Sequence, residues 1–328
     1  VREALRVRRL RPAAQEFQIA ATLEQLVGVL SFSGKDAEAE SAFEEMIAAY
    51  RSVVAPDSAT AAWLHLSYGL WLRQRGKNEK AEPYLREAIR VYRLSPNPPR
   101  DLYAAALDGL FQVLRKREEA IDETVTVFHE TMDAIGHLYG RDHLLIAPHL
   151  IGFAQMLEER DRAADAIPLV IDGMRIYRKS KGDDWDATSS LTMLERFVRR
   201  LVLAPELSGS KYEVAVRGAE ALVAEKPDDA NYRALLGMAQ YRLGQLDNAR
   251  KNLEPSPGAV SEQPAEHAPQ LLAFLAMTQF RSGAIDQARA TLTELRALMA
   301  DETIAKSKDN RATFAEAEAL LSPKPADE

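Results

Sequence analysis

The amino-acid sequence predicts an all-α protein, an α-solenoid of about seven helix pairs closed by a capping helix, and three observations predict it. The first is a period. The passages "REALRVRR" at 2–9, "EEMIAAYR" at 44–51 and "REAIRVYR" at 86–93 follow one another at intervals of 42 residues. A fixed interval of this size marks a stacked supersecondary unit, and it overrides the division of a 328-residue chain into separate cores. The second is composition: 46% hydrophobic and 28% charged residues describe a folded chain, and 7% aromatic residues with only 16 Gly and 16 Pro favour helices joined by short turns over sheet. The third is a recurring spacing of small residues around a glycine. Gly69, Gly76, Ala81, Leu85 and Ala88 form one such skeleton; Gly237, Gly244, Ala249 and Leu253 repeat it, as do Ala276, Gly283, Ala288, Leu292 and Leu295. A small side chain at a crossing lets two helix backbones approach, and a glycine between the helices takes the left-handed conformation that ends the first.

Taken in order, the first helix of each pair is expected at about 15–33, 59–75, 101–117, 145–159, 187–201, 230–243 and 268–282. The second helices are expected at about 36–52, 78–94, 120–138, 162–179, 211–225, 245–254 and 285–300, and a last helix near 310–321 caps the stack. Tyr50, Tyr92, Ile135 and Tyr177, at spacings of 42, 43 and 42, hold the register. The third pair departs most in chemistry, with Thr124 at the small position and Glu119 at the turn. Residues 1–14 read as the end of a truncated preceding repeat, so the sequence begins mid-repeat and at least part of another repeat precedes it; a basic tail of Arg2, Arg6, Arg8, Arg9 and Arg11 is the alternative. Five longer repeats then fill 15–226 and two shorter ones 227–300, with a capping helix and disordered tail over 301–328. Pro255 and Pro257 stop the sixth pair's second helix, because Pro lacks an N–H and clashes with the preceding turn, and open a Pro-rich loop at 255–269.

These residues resemble the tetratricopeptide repeat (TPR) family, whose Leu-Gly pair, turn Gly and small Ala are matched at Leu236, Gly237, Gly244 and Ala249. The 42-residue repeats of the N-terminal half are similar to those of kinesin light chain, and "YGRDHLLIA" at 139–147 matches that family's connector at Gly140 and His143, departing from it at Tyr139 and Leu144. The resemblance implies a right-handed solenoid. The stretches "NYRALLGMAQYRLGQLDNA" and "FLAMTQFRSGAIDQARATL" further resemble paired repeats at the C-terminal ends of multidomain bacterial serine/threonine protein kinases.

Several function classes are excluded. The net charge of −7 is spread over intermixed acids and bases, so no basic stripe awaits a phosphate backbone and no nucleic-acid partner is expected. There is no Cys, hence no disulfide and no thiolate metal site. The longest apolar run, "LLAFLAM" at 271–277, is far short of the roughly 20 residues that span a bilayer, so no membrane insertion and a cytoplasmic location are expected. His137, His143 and His149 recur every six residues, which rotates each away from the last on a helix, and Gly140 and Pro148 interrupt any such helix. "GRDHLL" at 140–145 superficially matches a kinase catalytic loop but has Ala147 where the Asn belongs, and His129-Glu130 is followed by Asp133 where a zinc-binding motif needs its second His. Acid pairs such as Glu44-Glu45, Glu158-Glu159 and Asp183-Asp184 read as solvated helix faces or connectors. No catalytic residue, cofactor or metal is expected.

Function is therefore sought in the groove. On the family resemblance, first helices line the concave wall, and the second, fifth, ninth, twelfth and thirteenth positions of each face inward. In the second pair these are Trp63, Leu66, Leu70, Arg73 and Gln74; in the sixth, Asn231, Ala234, Met238, Tyr241 and Arg242; in the seventh, Gln270, Ala273, Met277, Phe280 and Arg281. Aromatic and Met side chains beside a terminal Arg suit a protein or peptide ligand carrying apolar anchors and acids, whereas Met238, Met277 and Phe280 packed between repeats is the structural alternative. Chaperone-binding members clamp a terminal carboxylate with Lys and Asn at the fifth and ninth positions; Leu66 and Leu70 stand there, which disfavours that partner class. The expected function is a protein-interaction scaffold binding a peptide or helical segment, as the C-terminal module of a larger protein such as a bacterial kinase. A peptide- or small-signal-sensing domain of a transcriptional regulator is the alternative.

Overall fold

The computed structural model describes residues 16–51, 54–254 and 267–322; the readings of residues 1–14, of nearly all of the Pro-rich loop and of the tail fall outside them. The described residues form sixteen α-helices and two 3₁₀ turns, with no strand among them. Clustering of the backbone divides the chain into two compact units, up to Ile146 and from Ala147. The first unit holds three helix pairs: α1 (Glu16–Phe32) with α2 (Asp36–Arg51), α3 (Ala59–Gln74) with α4 (Asn78–Leu94), and α5 (Arg100–Leu114) with α6 (Ile121–Tyr139). The second holds four: α7 (Ile146–Glu159, entering at Ala147) with α8 (Ala163–Lys181), α9 (Thr188–Leu203) with α10 (Gly209–Glu225), α11 (Ala230–Arg242) with α12 (Leu246–Leu253), and α13 (Ala268–Arg281) with α14 (Ile285–Met299). A four-residue helix α15 (Glu302–Ala305) and α16 (Lys308–Leu321) follow.

Five of the seven pairs fold back through the same turn. At Gly76, φ is +74°, its N–H donates to Arg73 O at 2.9 Å, and the Lys77 N–H donates to Leu72 O at 3.0 Å. This is the Schellman arrangement, which satisfies the last carbonyls of the helix and needs a residue tolerant of left-handed backbone. The same two bonds recur around Gly34, Gly244 and Gly283. The fourth pair makes the turn with Asp161 at φ +59°, and the third pair does without it, entering α6 through a 3₁₀ turn at Glu118–Ala120. Thr124 of that pair fills the small position fully buried, its Oγ1 donating to Ala120 O at 2.7 Å. Since αL backbone is disfavoured for a side chain and natural to Gly, Asp161→Gly is expected to raise stability by up to about 1 kcal/mol in denaturant melts of the full chain; a loss of stability would contradict the turn assignment.

Behind the turns the helices nest at small residues. A Cβ added to Gly69 would stand 2.8 Å from Leu85 Cγ, and one added to Gly237 would stand 2.7 Å from Leu253 Cγ. Ala81, Ala249 and Ala288, the small positions of the second helices, are fully buried. Gln240 and Gln279, equivalent positions of the sixth and seventh pairs, accept from Asn252 and Thr291 of their own second helices, both at 2.8 Å. Successive pairs are tied at their surfaces by ions about one repeat apart, Glu40 with Lys77 and Lys80 and Glu123 with Arg86. Hydrogen bonds from those cations hold the Glu40 and Glu123 carboxyls below the usual range. Such exposed pairs add little each; burial of the apolar seam supplies the stability.

Candidate interaction surface

In the first unit, the face of α3 turned from α4 is partly open. Trp63 and Leu70 are half-buried and Gln74 is exposed, whereas Leu66 is buried at 3% exposure and so lies beneath this face, not on it. Leu70 leans on the neighbouring first helix, since a Cβ on Gly109 of α5 would come within 2.9 Å of Leu70 Cδ2. On α5, Ala105, Asp108 and Gln112 are half-buried at helical spacing, with Gln112 Nε2 donating to Asp108 Oδ1 at 3.2 Å. Arg73 is the distinctive group: it makes no ion pair or side-chain hydrogen bond with the described residues, and its Nε is buried without a partner. Arg75, two residues on, is by contrast committed, its Nε donating to Asp36 Oδ1 at 2.7 Å and its guanidinium stacked 4.1 Å above Trp71. A half-buried cation without a counter-ion beside apolar side chains is suited to an acidic group on an apolar ligand.

In the second unit, the predicted wall is covered. Met238 and Tyr241 are buried at 2% exposure and Met277 at 0%, so the packed alternative describes both methionines; Phe280 is half-buried and Arg281 exposed. Every residue of α13 from Ala268 to Gln279 is buried. A helix buried on all sides needs a second layer over the face its pair partner leaves open, and α16 supplies it, packing chiefly on α13 and less on α14. Arg242, expected as a free groove cation, is 5% exposed at its side chain: Nε donates to Val202 O at 2.7 Å, Nη2 donates to Glu316 Oε2 of α16 at 2.7 Å, and the guanidinium stacks 4.8 Å from Phe274. Its commitment to the protein's own helix is a correction to the sequence reading.

A polar ladder crosses the same wall. Arg199 of α9 donates to Glu195 and Gln270 at 3.0 Å and to Asn231 at 3.1 Å, Asn231 donates back to Glu195 at 2.9 Å, and Gln270 passes the chain to Asn310 of α16 at 3.0 Å. Arg199, Gln270 and Asn310 line a cavity of about 440 Å³ with His267, Ser307 and Asp309. Sequence reading found Asn231 and Gln270 but missed Arg199, because it named groove positions only in the second, sixth and seventh pairs. Among the described residues no group of three His, Asp or Glu side chains is placed to hold a metal ion, and no helix is long and apolar enough to cross a membrane.

Nested helical hairpins of this kind define the helical-repeat class of protein. A family comparison bears on the particular repeat over part of the chain: residues 18–94, nearly all of the first two pairs, match the tetratricopeptide repeat model. No curated protein matches the chain in sequence. Among solved structures it is similar to the TPR2AB domain of yeast Sti1 in its pHSP90 complex, at 13% identity over 92% of this chain and 99% of that one, with a TM-score of 0.39. It is also similar to a tetratricopeptide repeat protein from Parabacteroides merdae, at 12% identity over 90% and 99% of the two chains, with a TM-score of 0.40. A putative kinesin light chain of Podosopora anserina with nearly identical TPR-like repeats shares 15% identity over 75% and 97%, with a TM-score of 0.32.

Proposed function

We infer that the chain is a protein-interaction scaffold whose ligand is a peptide or helical segment laid across the first helices. The observation that carries this reading is Arg73: a half-buried cation with no partner among the described residues, flanked on its own helix by the accessible Trp63, Leu70 and Gln74. A ligand carboxylate there gains a charge-assisted hydrogen bond, while an apolar side chain of the same segment covers Trp63 and Leu70. The ligand class is thus an acidic segment with apolar anchors. The kinase resemblance of the sixth and seventh repeats extends the reading to a docking arm of a serine/threonine kinase, which the coding sequence upstream of residue 1 would decide.

The test is peptide display against the full chain, followed by affinity measurements on the selected peptides. Trp63→Ala combined with Arg73→Glu is expected to weaken them at least tenfold, about 1.4 kcal/mol, and the selected sequences are expected to be acidic. Peptides that bind the double variant unchanged would overturn the assignment.

A further inference from the structure

The covering of the second unit's wall is chemically lopsided. On α13, the helix that α16 chiefly packs on, Ala273, Phe274 and Met277 are fully buried, yet the buried side chains of α16 itself are only Asn310, Thr313 and Ala317. The helices of an ordinary pair bury large apolar residues in each other, as α4 does with Leu85, Ile89 and Tyr92. Small and polar side chains bury little apolar area, and the large apolar residues of α16, Phe314, Leu320 and Leu321, are only half-buried, so directional polar contacts carry a larger share of its seating: Asn310 to Gln270 and to Ile304 O, Glu316 to Arg242, and Glu318 to Arg296 of α14. Tyr241, beside Arg242 and edge-on to Phe274 at 5.5 Å, has its hydroxyl buried without a hydrogen-bond partner. A buried unsatisfied hydroxyl is a group that a better-fitting occupant can satisfy.

The packing register points the same way. Of the two helices of the preceding pair, α5 packs more on the second helix α4 and α11 more on the second helix α10; α16 instead packs chiefly on the first helix α13 and reaches back to Arg242 of the pair before. It lies on the wall that the proposed function gives to a ligand. We propose that this wall is a receptor for an acidic partner helix presenting small residues to α13 and carboxylates to Arg242 and Arg296, and that α16 is a resident stand-in which such a helix displaces. The proposal rests on the reading of the first helices as the ligand surface and adds to it the partner's chemistry and a cis competitor.

The probe is a fluorescein-labelled peptide of residues 302–322, titrated into the full chain. Glu316→Arg with Glu318→Arg should release α16 and tighten probe binding at least tenfold over the unmodified chain, and adding Arg242→Glu should abolish the gain. Because the chain has no Cys, Gln270→Cys with Asn310→Cys can be bridged by a short bismaleimide. The bridged chain should bind the probe at least tenfold more weakly than the same chain unbridged, a comparison that decides the matter if the charge-reversed chain fails to fold. Equal binding by bridged and unbridged chains, or no gain on release in a folded chain, would show that α16 is a structural cap and overturn the proposal. If display peptides remain dependent on Trp63 and Arg73 in that event, only this inference falls; if they ignore both residues, the proposed function falls.

Discussion

Phe274→Ala is expected to destabilise the second unit by about 3–5 kcal/mol, the usual range for removing a fully buried aromatic side chain. Phe274 is 0% exposed at the crossing of α11 and α13, edge-on to Tyr241, with the Arg242 guanidinium stacked on its ring. Alanine there leaves a cavity and removes the platform that aims Arg242 at Glu316, so the loss should extend to the docking of α16. Denaturant melts of the full chain, with the second unit followed by a probe of its own, would report it. A loss under about 1 kcal/mol would mean that the ring is not the keystone its burial implies.

Gly237→Val should have a comparable effect for the opposite reason. The added Cβ would lie 2.7 Å from Leu253 Cγ and 3.1 Å from the backbone oxygen of Ala249. Leu253 can rotate, but the Ala249 carbonyl is fixed within α12, so the two helices must part; overpacking of this kind costs about 1–3 kcal/mol, with the upper end expected here. Gly28 of α1 is the internal control, since nothing lies within 4 Å of its added Cβ. At this exposed position alanine should stabilise α1 by about 0.5–1 kcal/mol. Equal losses at both positions would show that close helix approach is not what these glycines serve.

The hairpins were legible because their signals are local. Gly76, Gly244 and Gly283 end first helices with the predicted left-handed turn, and the observed helix limits lie within a few residues of those expected throughout. Asp161 hid one turn, since its side chain gives no sign that the backbone must be left-handed. The placement of α16 was not legible: a terminal helix that continues the stack and one that crosses its wall share the same periodicity, and the choice is made by Glu316, Asn310 and partners 40 to 74 residues away. One signal did bear on it. The unbroken apolar run 271–277 leaves α13 no polar face, which conflicts with an open groove and calls for a covering element. Arg73 and Arg242 illustrate the limit from the other side. They occupy neighbouring positions in the repeat pattern, yet one has no partner among the described residues and the other is paired to Glu316, a difference carried by contacts that the pattern does not encode.

The ligand surface itself can be located with a photo-crosslinking amino acid placed singly in the full chain, at Leu70 on α3 and at the exposed Glu79 on α4, and irradiated with a display-selected peptide. Crosslinking at position 70 with none at 79 is the predicted result. Crosslinking at 79 alone would place the ligand on the second helices and contradict the account.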